Sequence, residues 1–84
     1  MELDEARSFI RDHHNAVMAT SRRDGGVQLS PITVGIDADG TVIVSTRETA
    51  AKVKNIRRDP HISMCVLSDE FYGQFVQIEG DVTI

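Results

Sequence analysis

Five of the nine Lys and Arg residues in this chain fall within residues 46–60, TRETAAKVKNIRRDP: Arg47, Lys52, Lys54, Arg57 and Arg58. The chain as a whole is acidic, with a formal charge of -4. A concentrated basic segment on such a chain is either a local anion site or the solvated face of a helix. Ala50, Val53 and Ile56 recur every third residue, which predicts a short amphipathic helix docked by one narrow stripe. The helix is expected from about Glu48 to Arg58, with Thr46 or Thr49 as its cap and Asp59-Pro60 as its stop. A helix N-terminus presents unpaired N–H groups and the positive end of the dipole. Arg47 lies just ahead of that end and Lys52 within the first turn, an arrangement suited to a phosphate.

Other reactive side chains are less telling. His13 and His14 are adjacent, so on a helix they diverge by ~100° and do not share a metal ion. A cation at the end of a helix also favours the dipole, which is the simpler reading. Cys65 sits between Met64 and Val66 in an apolar run and reads as a buried, inert thiol. Tyr72 lies in a loop, where a packing or rim role competes with proton donation.

These residues must be positioned by one small domain, since the chain has 84 residues. A hydrophobic content of 40% and a charged content of 26% are those of a globular protein. No apolar run approaches the ~20 residues of a membrane helix, so no membrane partner is expected. The acidic start, MELDEARSF, lacks the pattern of a signal peptide, and a single cysteine fits a reducing, cytoplasmic compartment. Net negative charge argues against nucleic-acid binding.

Residues 3–14 form the first expected helix, with Leu3, Ala6, Phe9, Ile10 and His13 on one face. Residues 16–21 are a strand, residues 22–26 (RRDGG) a hairpin turn, and residues 27–36 the returning strand. Alternation there changes phase. Val27 and Leu29 keep one parity, Ile32, Val34 and Ile36 the other, and the switch falls at Ser30-Pro31. A proline inside a strand marks an edge or a bulge. Residues 37–40 turn again, residues 41–46 are a third strand, residues 61–67 a fourth and residues 74–84 a fifth. Helix, three strands, helix and two strands, joined by hairpins, suit a small antiparallel β-barrel with helices.

Three stretches carry a resemblance: QLSPITVGID from Gln28, VSTRETAAKVKNIRRDPHISMCV from Val44, and FVQIEGDVTI from Phe75. With them the whole chain resembles the FMN-binding split β-barrel family of pyridoxamine 5'-phosphate oxidase-like proteins. Within it, the chain looks most like the actinobacterial branch that uses the deazaflavin coenzyme F420. The resemblance implies an oxidoreductase that moves hydride between reduced F420 and a small conjugated substrate, with the cofactor held at a homodimer interface. It implies that Lys52 contacts the cofactor phosphate and that Ser45 and Thr46 border the cofactor. It places the backbone of Ser30, Pro31, Ile32 and Thr33 against the ring. Arg47 and Asn55 would help with the phosphate or with the acidic tail of F420. The oxidase carries an Arg before its phosphate lysine, where this chain has Ala51, a departure from the FMN oxidase pattern. Family domains also run on through a further strand and often a C-terminal helix. The alternatives are an FMN-dependent oxidase or reductase, a non-catalytic cofactor or heme binder, for which no axial ligand stands out and His61 is a candidate, and an interaction domain without a small ligand.

Overall fold

The computed structural model describes residues 3–46, 50–70 and 72–84. The elements run α1 (Leu3–Asp12), β1 (Asn15–Ser21), β2 (Val27–Ile36), β3 (Val42–Val44), α2 (Ala51–Arg58), β4 (His61–Leu67) and β5 (Phe75–Asp81). All five strands join one antiparallel sheet in the order β3-β2-β1-β4-β5. The architecture is the mainly β, antiparallel half-barrel with two helices that the sequence implied.

The β1–β2 and β2–β3 turns are each built by an aspartate and a glycine. Asp24 Oδ1 accepts the Gly26 N–H at 2.9 Å, and Gly25 supplies a φ of 88°. That backbone hydrogen bond, and then the Arg22 guanidinium, hold the Asp24 carboxyl below the usual carboxylate range. Asp37 Oδ1 likewise accepts from Asp39 and Thr41, with Gly40 at a φ of 82°. Arg7 of α1 donates from Nε to the Gly40 carbonyl at 3.2 Å and ties the first helix to this second turn.

One face of the sheet carries the core. Ala16 and Met18 of β1, Ile32 and Val34 of β2, and Ile62, Met64 and Val66 of β4 are buried there with Val76 of β5. Phe9 and Ile10 of α1 and Ile56 of α2 pack against them, so both helices lie on this inner face. Leu3, expected on the buried stripe of α1, is 66% exposed because the docked turn of the helix is the one carrying Phe9 and Ile10. His13 stacks on the Phe9 ring, with centroids 4.3 Å apart, and closes the helix end.

The phase change expected in β2 does not occur. Its register with β1 runs unbroken from Ser21↔Val27 to Asn15↔Thr33, with no bulge at Pro31. Val27, Leu29, Pro31 and Thr33 all lie on the outer face, which neither helix covers. The edge reading is the correct one, and the ladder shows why. The Val34 N–H donates to the His14 carbonyl and the Arg22 N–H to the Gly26 carbonyl, both at 2.8 Å. Hydrogen-bonded pairs alternate along an antiparallel ladder, so even-numbered residues of β2 bond to β1 and odd-numbered ones point away from it. β3 pairs only with Val34, Gly35 and Ile36. The nitrogen of Pro31 therefore faces an open edge, where its missing hydrogen costs no ladder bond.

Three further expectations change. β3 spans three residues rather than six, and β5 ends at Asp81, with Ile84 69% exposed. Helix α2 starts from Ala50, whose side chain offers no cap. Thr46 is not its N-cap, and Glu48 and Thr49 lie outside the described residues. Cys65 is half-buried on the outer face, not in the core, because it alternates with the inward Met64 and Val66.

Candidate functional site

Where β3 ends, the chain leaves β2 and crosses to α2, and a pocket opens beside the free edge of β2. It has a volume of about 390 Å³ and is lined by Asn15, Pro31, Ile32, Thr33, Ser45 and Lys52. Five of these were named from the sequence. Pro31, Ile32 and Thr33 form one wall, Ser45 and Lys52 the other. By the ladder alternation above, the Pro31 carbonyl and the Thr33 N–H point into the open edge, whereas the Thr33 carbonyl faces the end of the β3 ladder that begins at Val34↔Val44. Pro31 offers an acceptor without a donor, and Thr33 offers its N–H. Such an edge can read the hydrogen-bonding rim of a planar heterocycle.

The opposite wall is electropositive. Ala50 provides no side-chain hydrogen bond, and the first turn of α2 carries no carboxylate. Among the described residues the first intrahelical bonds are those from Val53 and Lys54 to the Ala50 carbonyl, leaving the Ala51 and Lys52 amides ahead of them. Lys52 is half-buried at this end, whereas Lys54 is exposed. A phosphate seated here would meet a charged ammonium and the positive end of the helix dipole together.

The remaining candidates are placed elsewhere. Ser30 is 6% exposed, with its side chain on the inner face and its backbone bonded toward β1. Thr46 borders a larger groove of about 800 Å³ that opens over Ile56, Met64 and Ile78, between β3 and the end of β5; Ser45 and Lys52 line both cavities. Asn55 is buried and turned toward β1 and β2. Arg47 lies outside the described residues. His61 lines neither cavity; its Nδ1 lies 3.3 Å from Asp81 Oδ1 at the far end of β4. Tyr72 is 96% exposed. Among the described residues no three His, Cys, Asp or Glu side chains converge as a metal site, and no helix is long and apolar enough to cross a membrane.

Sequence reasoning missed Asn15. It opens β1 directly opposite Thr33, in a non-hydrogen-bonded pair whose side chains lie close together. Only the strand register reveals this.

An antiparallel sheet with both helices on one face, and a pocket between a free strand edge and a basic helix N-terminus, defines a split-barrel domain. The sequence profile of the pyridoxamine 5'-phosphate oxidase family matches residues 3–84, and the chain belongs to that family. Among solved structures it is similar to the conserved hypothetical protein Rv2991 from Mycobacterium tuberculosis, at 26% identity and a TM-score of 0.82 over 96% of this chain and 51% of that one. A protein described as F420 reductase matches 93% of this chain and 61% of its own, at 23% identity and a TM-score of 0.79. The heme storage protein HutZ from Vibrio cholerae shares the fold at 17% identity and a TM-score of 0.73, again over 61% of its own length. The chain thus spans about half to three-fifths of these relatives.

Proposed function

We propose that this chain is the cofactor-holding part of an oxidoreductase that binds a phosphate-bearing deazaflavin or flavin, coenzyme F420 first and FMN as the alternative. The observation that carries the reading is the meeting, in one pocket, of the open β2 edge at Pro31 and Thr33 with Lys52 at a helix start whose N-cap residue, Ala50, has no capping side chain. When bound, the cofactor supplies hydride transfer to a small conjugated substrate. The chain's own residues bind and orient. Lys52 and the first amides of α2 hold the phosphate, the Pro31 and Thr33 backbone fixes the ring edge, and Ile32 excludes water from behind it. F420 is placed ahead of FMN because Ala51 stands where the oxidase has an Arg, and because a protein described as F420 reductase shares the fold.

Titration of the purified chain with F420 and with FMN, followed by cofactor fluorescence, tests this directly. Saturable binding of both, tighter for F420, is expected. Tighter FMN binding would move the protein to the flavin branch, and a flat response to both would remove the cofactor reading.

The same reading pairs two copies through the outer face of the sheet. Val27, Leu29 and Phe75 are 60%, 68% and 60% exposed there, and Pro31 belongs both to this apolar face and to the pocket. A second copy covering the face would also close the site. Sedimentation at micromolar concentration is expected to give a dimer, and a well-folded monomer would count against the pairing.

A further inference from the structure

Helix α2 is eight residues long, has at its N-cap Ala50, which provides no side-chain cap, and docks through little more than Val53 and Ile56. A helix this short has no stability of its own, so its placement is set by what it touches. Two apolar side chains on a sheet leave its rotation and axial setting poorly fixed, since apolar packing is not directional. Yet Lys52 serves a pocket only if that setting is right.

The buried row of α2 contains one polar residue, Asn55, which is 8% exposed. Its Nδ2 donates to Thr20 Oγ1 on β1 at 3.1 Å and to Gln28 Oε1 on β2 at 3.3 Å. Its Oδ1 accepts from Arg58 Nη2 at 3.2 Å, and the same Arg58 nitrogen donates to the Ser21 carbonyl at the end of β1. Thr20 is itself 2% exposed. No buried side-chain nitrogen or oxygen among the described residues is left without a partner, so the network is complete. Such bonds are directional and hold for one rotation and one register of the helix.

We propose that Asn55 is a positioning residue whose network with Thr20, Gln28 and Arg58 sets the register of α2, and through it the place of Lys52 at the pocket. Lys52 lies three residues before Asn55, on nearly the same side of the helix. The network reaches the strand, β2, that supplies the pocket's other wall at Pro31–Thr33. It therefore joins the two walls without touching the pocket. The proposal rests on the assignment of Lys52 as phosphate ligand only for its effect on binding; the register itself is a property of the free protein.

The test uses Asn55→Leu, which keeps the branched heavy-atom shape but loses every bond, and Asn55→Asp, whose oxygens can accept from Thr20, a turned Gln28 amide and Arg58. Nuclear Overhauser contacts from the Lys52 side chain to Ser45, which shares its wall of the pocket, are read without ligand, beside those of core Met18 and Val66. Lys52→Ala is then combined with each variant, and F420 and FMN affinities are measured. The Lys52 contacts should be kept in Asn55→Asp and lost in Asn55→Leu, while the core pattern stays. Lys52→Ala should cost at least tenfold in affinity in wild type and in Asn55→Asp, and less than twofold in Asn55→Leu. Unchanged Lys52 contacts in Asn55→Leu would overturn the proposal, as would an equal Lys52→Ala loss in all backgrounds. If wild type binds neither cofactor, the functional reading falls while the ligand-free contacts still decide the register. An Asn55→Leu chain that does not fold leaves Thr20→Val, which removes one bond, to give a partial loss of the same contacts; no loss would again overturn it.

Discussion

Met18→Ala is expected to destabilise the domain by about 2–5 kcal/mol, the usual cost of truncating a buried methionine to alanine. Met18 is 2% exposed and sits at the centre of the sheet, with Ser30 of β2 on one side and Met64 of β4 on the other. Its neighbours are strands held in a ladder, so they cannot collapse freely into the vacated space. A chain of this length has a total stability on the order of 4–13 kcal/mol, so the change consumes a large share of it. Leu3→Ala is the comparison. Leu3 is 66% exposed in the first turn of α1, and its loss should cost within about 0.5 kcal/mol. Urea unfolding of the two variants checks both values. Similar midpoints would mean that the core is not organised around the inner face of β1.

The second large effect concerns Lys52. If its ammonium contacts a cofactor phosphate, Lys52→Ala removes a charge-assisted interaction of ~1.5–3 kcal/mol. That corresponds to roughly a 10- to 150-fold loss of affinity. Lys54→Ala should cost less than about 0.5 kcal/mol, because Lys54 is exposed and projects ~200° around the helix from Lys52. The difference should narrow at high salt, since part of the Lys52 contribution is screened attraction. Cofactor titrations at low and high ionic strength, with thermal melts as a folding check, provide the comparison. Equal and small losses for both lysines would leave the basic run as a solvated face.

Much of this arrangement was legible in the residues. Periodicity gave α1, β1, β2 and β4 to within a residue or two. The two Asp-Gly turns required their glycines at positive φ, as they are found. What was misread has a common physical origin. The alternation of β2 reads as changing phase because Val27 and Leu29, apolar residues on an uncovered sheet face, have the same local pattern as buried ones. Cys65 was placed in the core for the same reason. Pro31 reads as marking either an edge or a bulge; it marks an edge, which exists because β3 pairs with only three residues of β2, and no local signal shows where that pairing stops. The resemblance assigns Asn55 to the phosphate or the acidic tail; its buried bonds to Thr20 and Gln28 are not legible because both partners are far away in sequence. Asn15 enters the pocket only through a strand register. Bringing Pro31–Thr33 together with Ser45 and Lys52 depended on the family resemblance as much as on the basic helix.

The central claim is that a phosphate-bearing deazaflavin or flavin lies between the β2 edge and the start of α2. Amide chemical-shift mapping of the isotope-labelled chain during titration with F420, and separately with FMN, tests it most directly. The account predicts saturable shifts concentrated at Asn15, Ile32, Thr33, Ser45 and the first amides of α2, with β4 little changed. Saturable shifts centred elsewhere, or none with either cofactor, would contradict it.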